Sequence, residues 1–307
     1  MSSTFILVAG DARIDNLVAA AVGTHRTAVV VGPRAVADAV AASGVEAVTW
    51  LGEPGTAAPE SFAGAVAEIA AAAAPDLVLA ATRPGDRVLA GAVAARLAAP
   101  VLTMPAQVTV AAGAGSVEVT HAVLGGIAQQ TVRVTGTAVV ILDGGGSGAG
   151  STAGDTATAP VTEVAAAADP TLVVVETRPA ERAQVDLGRA LRIVSVGRGL
   201  KAREDVAMVT ELATALGAET ACSRPLAEGL GWFTHDRYVG VTGQHVQPQL
   251  YLALGISGQL QHVVGARGAG TIVAVNADKT APYFQEADYC VVGDLYQVVP
   301  ALTAALT

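Results

Sequence analysis

The last third of the chain, from Val196 to Asp294, holds six stretches, four of them marked by glycine, in which polar side chains follow short apolar runs. They read V-G-R-G-L-K (196–201), C-S-R-P (222–225), Y-V-G-V-T-G (238–243), G-I-S-G-Q-L-Q-H (255–262), A-V-N-A-D-K (274–279) and V-V-G-D-L (291–295). Glycine at such an end lets backbone N–H groups approach a ligand closely, and a helix that follows presents an electropositive N-terminus. This is chemistry for holding a nucleotide. In Gly255-Ile256-Ser257-Gly258 a tight turn precedes a helix, and Ser257 either caps that helix or bonds a phosphate. Arg198, between two glycines, and Arg224, after Ser223, offer guanidinium groups for phosphate or for the face of an electron-rich ring. The alternative for each is a surface arginine in a turn. His262 falls in the first turns of the helix after Ser257, where a helix N-terminus suits a developing anion nearby. A structural histidine is the plainer reading. Asp294 matches the carboxylate that bonds a ribose in nucleotide folds, and it can cap the final helix at the same time.

Other chemistries find little support. There is no G-x-S-x-G elbow, no carboxylate pair at suggestive spacing and no strict G-x-G-x-x-G. The chain reads as built to hold a cofactor rather than to react through its own side chains. Two cysteines and five histidines form no iron–sulfur or zinc pattern. Cys222 and Cys290 lie in apolar strand-like runs, as expected of buried, reduced thiols in a cytoplasmic protein. The net charge of −9 without a Lys/Arg cluster disfavours nucleic acid. The chain is 52% hydrophobic, much of it alanine. No apolar run of about 18 residues is free of polar interruptions, so no membrane insertion is expected. The N-terminus has no basic segment or cleavage site of a secretory signal.

The elements that position these motifs follow from hydrophobic rhythm. With 307 residues the chain has room for two domains. Residues 4–9, 28–31, 47–51 and 77–81 read as strands, and 34–42, 60–73 and 86–98 as helices. This alternation implies a parallel sheet covered by helices. Pro33 and Pro84 mark helix starts, where a missing N–H costs little. Residues 101–110, 116–124, 128–134 and 138–142 read as an antiparallel extension of that sheet. Residues 144–154 read GGGSGAGSTAG, expected as a mobile surface loop. The stretch lacks the lysine of a phosphate-binding loop. Residues 171–177 are expected to add one more strand, with a linker over 178–188. The rhythm then restarts, with strands at 192–196, 218–222, 250–254, 271–275 and 289–292 and helices at 203–216 and 295–305. Val206, Val209, Leu212, Ala213 and Leu216 share one helix face. In doubly wound sheets a ligand binds outside the carboxyl ends of the strands, where all six motifs fall.

On these residues the chain resembles the alpha subunit of electron-transfer flavoproteins. The likeness is strongest over 194–302, in LYLALGISGQLQHVVGA and TIVAVNADKTAPYFQEADYCVVGDL. A weaker likeness covers the first half, including L-G-G-I-A (124–128). A-C-S-R-P and W-x-x-H-x-R-Y-V-G are closest to the branch associated with nitrogen fixation and carnitine reduction. The resemblance implies an α/β protein of two domains, each a mostly parallel sheet with flanking helices. Residues 1–183 would form an N-terminal domain with the antiparallel extension, and 184–307 a Rossmann-like FAD-binding domain. It implies a heterodimer with a beta subunit that passes electrons between flavoprotein dehydrogenases and a quinone reductase or other redox acceptor. By the same resemblance Arg224 lies over the flavin ring and Thr242 bonds it near N5. His262 sits by the pyrimidine carbonyl and favours a negatively charged, one-electron-reduced ring. Ser257, Gly258, Gln259, Leu260 and Gln261 line the same turn, with Val239, Gly240 and Val241 beside Thr242. Arg198, Ser223, Asn276, Asp294 and Leu295 match positions that hold the rest of FAD. Many members read V-G-Q-T-G; here Val241 stands for the glutamine and lacks its side-chain hydrogen bond. A subunit of a bifurcating complex, a self-contained flavin or nicotinamide oxidoreductase, and a nucleotide-binding module without redox function are the competing readings.

Overall fold

The structure, a computed structural model, describes residues 2–21, 23–111, 115–124, 128–143, 158–177 and 185–307. The glycine-rich stretch 144–154 and the first part of the expected linker lie outside them. The described residues up to Thr177 form one compact unit and those from Val185 a second.

The first unit is built on a seven-stranded sheet in the order β10-β3-β2-β1-β4-β9-β5, parallel throughout. Its strands are β1 (Ser3–Ala9), β2 (His25–Val31), β3 (Ala47–Trp50), β4 (Leu77–Ala81), β5 (Val101–Thr103), β9 (Ala138–Leu142) and β10 (Val161–Glu163). Helices α1 (Asp15–Ala20), α2 (Arg34–Ala41), α3 (Ala63–Ala73) and α4 (Pro84–Leu97) connect them. β4 is buried along its whole length because both faces of a parallel sheet are covered. Ile6, Val30, Leu77 and Val140 pack one core, and Leu7, Val29, Val78 and Val139 the other.

Four expectations for this unit are corrected. The antiparallel strands β6 (Gln107–Ala111), β7 (Ser116–Val123) and β8 (Ala128–Thr135) form a separate three-stranded sheet rather than extending the first. β9 belongs to the parallel sheet, consistent with its apolar, buried run. The single strand expected over 101–110 is broken, because Met104 adopts φ +50° and Pro105 follows with no N–H to offer. Residues 171–177 form no strand: the edge beside β3 is taken by β10, and Val175 is left 96% exposed. Helix α1 was not anticipated at all.

The second unit is a five-stranded parallel sheet in the order β12-β11-β13-β14-β15. The strands are β11 (Arg192–Val196), β12 (Glu219–Cys222), β13 (Leu250–Leu254), β14 (Ile272–Asn276) and β15 (Tyr289–Val292). The helices are α5 (Val206–Leu216), α6 (Leu260–Ala266) and α7 (Leu295–Leu306). The expected α5 face is present: Val209, Leu212 and Ala213 are buried against Val194 and Leu252, with Val206 and Leu216 at the margin. Cys290, expected buried, is exposed, because β15 is the edge strand. Cys222 is buried as expected.

Candidate functional site

The chain leaves β11 to one side for β12 and returns on its other side as β13, so the carboxyl ends of β11 and β13 part and leave a crevice. The turns after these two strands touch. A Cβ added to Gly199 would lie 2.7 Å from the Gly255 Cα and 2.9 Å from Leu295 Cδ2. The Gly199 N–H donates to the Gly255 carbonyl at 3.0 Å. Beside these turns opens a cavity of about 470 Å³, within the usual range for a small-molecule site.

Ten of the sixteen expected residues line this cavity: Arg198, Ser223, Arg224, Val241, Thr242, Ser257, Gln259, Gln261, His262 and Asn276. They come from the ends of four strands and from the loop after Tyr238. Six do not. Val239 and Leu295 are core residues, and Leu260 is exposed at the start of α6. Gly240 and Gly258 shape the walls through their backbones. A Cβ on Gly240 would lie 2.6 Å from the Gln261 carbonyl oxygen, and one on Gly258 would overlap the Tyr283 backbone nitrogen. Asp294 caps α7, accepting the Tyr296 N–H at 3.0 Å. The cavity also takes in Gly199, Pro225, Tyr238, Ile256, Asp278, Ala281 and Pro282. Tyr238 lay within a quoted motif, but only the fold shows why it matters: its hydroxyl is 3.0 Å from Thr242 Oγ1 and positions that hydroxyl.

Several side chains are already engaged. Arg224 Nε donates to Glu228 at 2.6 Å, which holds the guanidinium beside the Pro225 turn. The Asn276 amide donates to the Ile256 carbonyl at 3.0 Å and accepts the Asp278 N–H at 3.0 Å. Asn276 therefore ties the wall together. Ser257 does not cap a helix, since α6 begins at Leu260 after Gln259. It is instead exposed at the cavity. With α6 only seven residues long, its N-terminus adds little field of its own.

His262 is buried at the back of the cavity, with Nε2 2.9 Å from the Tyr251 hydroxyl. Burial pushes its pKa down to about 4, against the pull of the Val239 carbonyl. The ring is therefore neutral at pH 7. Its Nδ1 has no well-aligned hydrogen-bond partner, the Val239 carbonyl being the acceptor beside it. The Cys222 thiol is pushed up to about 12 by burial and is no nucleophile. Among the described residues, no cluster of His, Cys, Asp or Glu could hold a metal ion, and no helix is long and apolar enough to cross a membrane. The arrangement is an apolar slot rimmed by guanidinium, hydroxyl and amide groups, suited to a flat, polar-edged molecule that bears phosphate.

Comparison with known proteins gives the same direction. Residues 186–267 match the electron transfer flavoprotein FAD-binding domain, and residues 16–169 match the electron transfer flavoprotein domain. Protein FixB of Escherichia coli O9:H4 (strain HS) is 40% identical over 279 residues, covering 86% of this chain and 87% of that protein. Protein FixB of Escherichia coli O7:K1 (strain IAI39 / ExPEC) is 42% identical over 261 residues, covering 83% and 82%. The chain belongs to the electron transfer flavoprotein family, as an alpha-subunit-type electron carrier that works between flavoproteins.

Proposed function

We propose that the cavity of the second unit holds FAD in a Rossmann-like FAD-binding domain beginning near residue 184, and that this domain carries the chain's electron-transfer role. The observation that carries the reading is the coincidence of the open, donor-rimmed cavity at β11 and β13 with the segment matched by the FAD-binding domain. The residues fit such a group. The glycine turns admit close backbone approach, Arg198 and Ser257 line the cavity as donors that phosphate would need, and a buried His262 nitrogen lacks a well-aligned partner. When bound, the flavin supplies the redox chemistry, and the protein supplies orientation and electrostatics. Arg224 would lie against the ring, while Thr242, Gln261 and His262 would meet its polar edge. Asp294 and Leu295 would support the far end of the cofactor from the start of α7. Among the side chains lining the cavity no nucleophile is paired with a base, in keeping with a carrier that has no organic substrate of its own.

A beta subunit is the proposed partner, with flavoprotein dehydrogenases as donors and a separate redox acceptor, all in the cytoplasm. The test is the visible spectrum of the chain co-purified with its small subunit, followed through stepwise reduction. Flavin bands passing through the red absorption of a one-electron-reduced anionic flavin are expected. A well-folded complex without flavin overturns the reading. Flavin bands that bleach directly to the fully reduced form overturn its one-electron part.

A further inference from the structure

Behind His262 lies a set of hydroxyl groups with no link to solvent. Tyr251 on β13 is fully buried, and its hydroxyl is 2.9 Å from His262 Nε2. The hydroxyls of Ser195 on β11 and of Tyr283 lie beside that of Tyr251. Both are buried, and neither has a well-aligned hydrogen-bond partner apart from the neighbouring Tyr251 hydroxyl. Ser195 pairs with Ala253 in the sheet, two residues along β13 from Tyr251, so the two side chains share one face.

Counting donors decides how the protons are placed. A hydroxyl has one proton to give and two lone pairs to accept with, and a neutral imidazole has one N–H and one bare nitrogen. If Tyr251 donates to Nε2, both its lone pairs are free for Ser195 and Tyr283, and every buried hydroxyl proton has an acceptor. If Nε2 carries the proton and donates to Tyr251, only one lone pair remains. One buried hydroxyl proton is then orphaned, and Nδ1 becomes a bare acceptor beside another acceptor, the Val239 carbonyl. We propose that Tyr251 is a positioning residue that locks His262 as the neutral Nδ1–H tautomer, so that Nδ1, beside the Val239 carbonyl, meets a ligand as a donor shared with that carbonyl and never as an acceptor. This rests on the reading of the cavity as a flavin site. There the consequence is selective: an Nδ1–H donor favours electron-rich carbonyl edges, whose charge grows on reduction.

The test is nitrogen NMR of the full chain labelled with 15N-histidine, with and without FAD. His262 is expected to show a bare Nε2 and a protonated Nδ1 at neutral pH in both states. Tyr251→Phe is expected to lose that single pattern, giving mixed tautomers and a lower flavin potential with FAD retained. A protonated Nε2 in the wild-type chain overturns the proposal without any variant. So does an unchanged His262 pattern in a folded Tyr251→Phe. Failure of the chain to take up FAD at all, with the tautomer as expected, defeats the flavin reading and leaves the lock standing.

Discussion

The two parallel sheets solve the same topological problem in opposite ways. In each, the chain leaves a central strand in one direction and comes back on its other side, which parts two strand ends: β1 from β4 in the first unit, β11 from β13 in the second. In the first unit the gap is filled by the protein's own charges. Asp86, with no exposed surface, accepts the Ala9 N–H at 2.7 Å and the Arg83 Nε at 2.5 Å. Arg83 reaches Asp11 at 3.0 Å, and Asp11 pairs with Arg13. In the second unit the gap is open: Arg224 and Asn276 bond the protein's own groups, while Arg198 and Ser257 line the cavity. The difference teaches that a ligand site in this architecture is made as much by withholding partners as by supplying residues. The six sequence motifs all fall in the half that withholds them.

Breaking the open gap has the largest expected effect. Gly258 has φ +84°, and an added Cβ would run into the Tyr283 backbone. Left-handed strain costs about 1–3 kcal/mol and overpacking about as much again. Gly258→Ala is therefore expected to lose about 4 kcal/mol of the second unit's stability, together with FAD. Urea unfolding and flavin content check this, and an unchanged midpoint would mean that the wall is not rigid. Next is the filled gap. Asp86→Ala strips Arg83 and the Ala9 N–H of a buried partner, at a cost of about 3 kcal/mol. FAD retention should not change. Loss of flavin from a folded Asp86→Ala chain would show that the two gaps are not independent.

Acid separates the units more finely. Burial lowers His262 from 6.5 to about 4, so the folded second unit resists the proton that the unfolded chain accepts. A base with a depressed folded pKa contributes stability that is complete above about 6.5 and is lost as pH falls towards 4. The full loss is on the order of 3 kcal/mol. In the first unit, burial pushes the Asp11 carboxyl up, but the Arg13 hydrogen bonds and the Arg83 charge hold it below the usual carboxylate range. Its contribution is lost only as pH falls below about 3.8. Asp86 is raised, by burial first, so it gives nothing up on the way down. The second unit is therefore expected to weaken first between pH 6.5 and 4, and His262→Gln to flatten that slope. Hydrogen exchange resolved by unit reads the outcome. Equal weakening of both units would place the acid-sensitive group elsewhere.

How much of this was legible beforehand depends on where the determining contacts lie. The strands at 192–196 and 250–254 appear with the limits read from their apolar runs, because a covered parallel strand needs nothing but local composition; the exposed edge strand at 289–292 also keeps its expected limits. The first unit resisted where the decision was non-local. β9 and residues 171–177 are both β-branched and apolar, yet one found a partner strand and the other found its edge already taken by β10. The same division holds at the site. Arg198, Thr242 and Ser257 stand in glycine-marked turns, and Ser223 in a proline-marked one, that sequence shows directly. The role of Asn276 as a wall tie and the neutral state of His262 depend on groups more than ten positions away. Tyr251 looked like any core residue of an apolar strand, although a buried tyrosine hydroxyl ordinarily demands a partner.

The smallest effect tests the comparison most directly, because it asks whether a withheld partner is worth anything once a ligand supplies it. His262 contributes one neutral donor at the back of the cavity. A neutral hydrogen bond contributes about 0.5–1.5 kcal/mol net. If that bond is made mainly to the reduced, more negative flavin, it appears as potential: about 59 mV for each 1.4 kcal/mol in a one-electron step. His262→Ala is expected to keep FAD, since Arg198, Ser257 and the glycine turns remain, and to lower the first reduction potential by about 20–60 mV. The sign follows from charge: removing a donor destabilises the negative form, so reduction becomes harder. A redox titration of wild type and variant at pH 7 reads it. No shift would mean that Nδ1 does not face the flavin's polar edge. A shift well beyond 100 mV would mean that the histidine acts as a cation after all, and that binding the flavin reverses the effect of burial on its pKa.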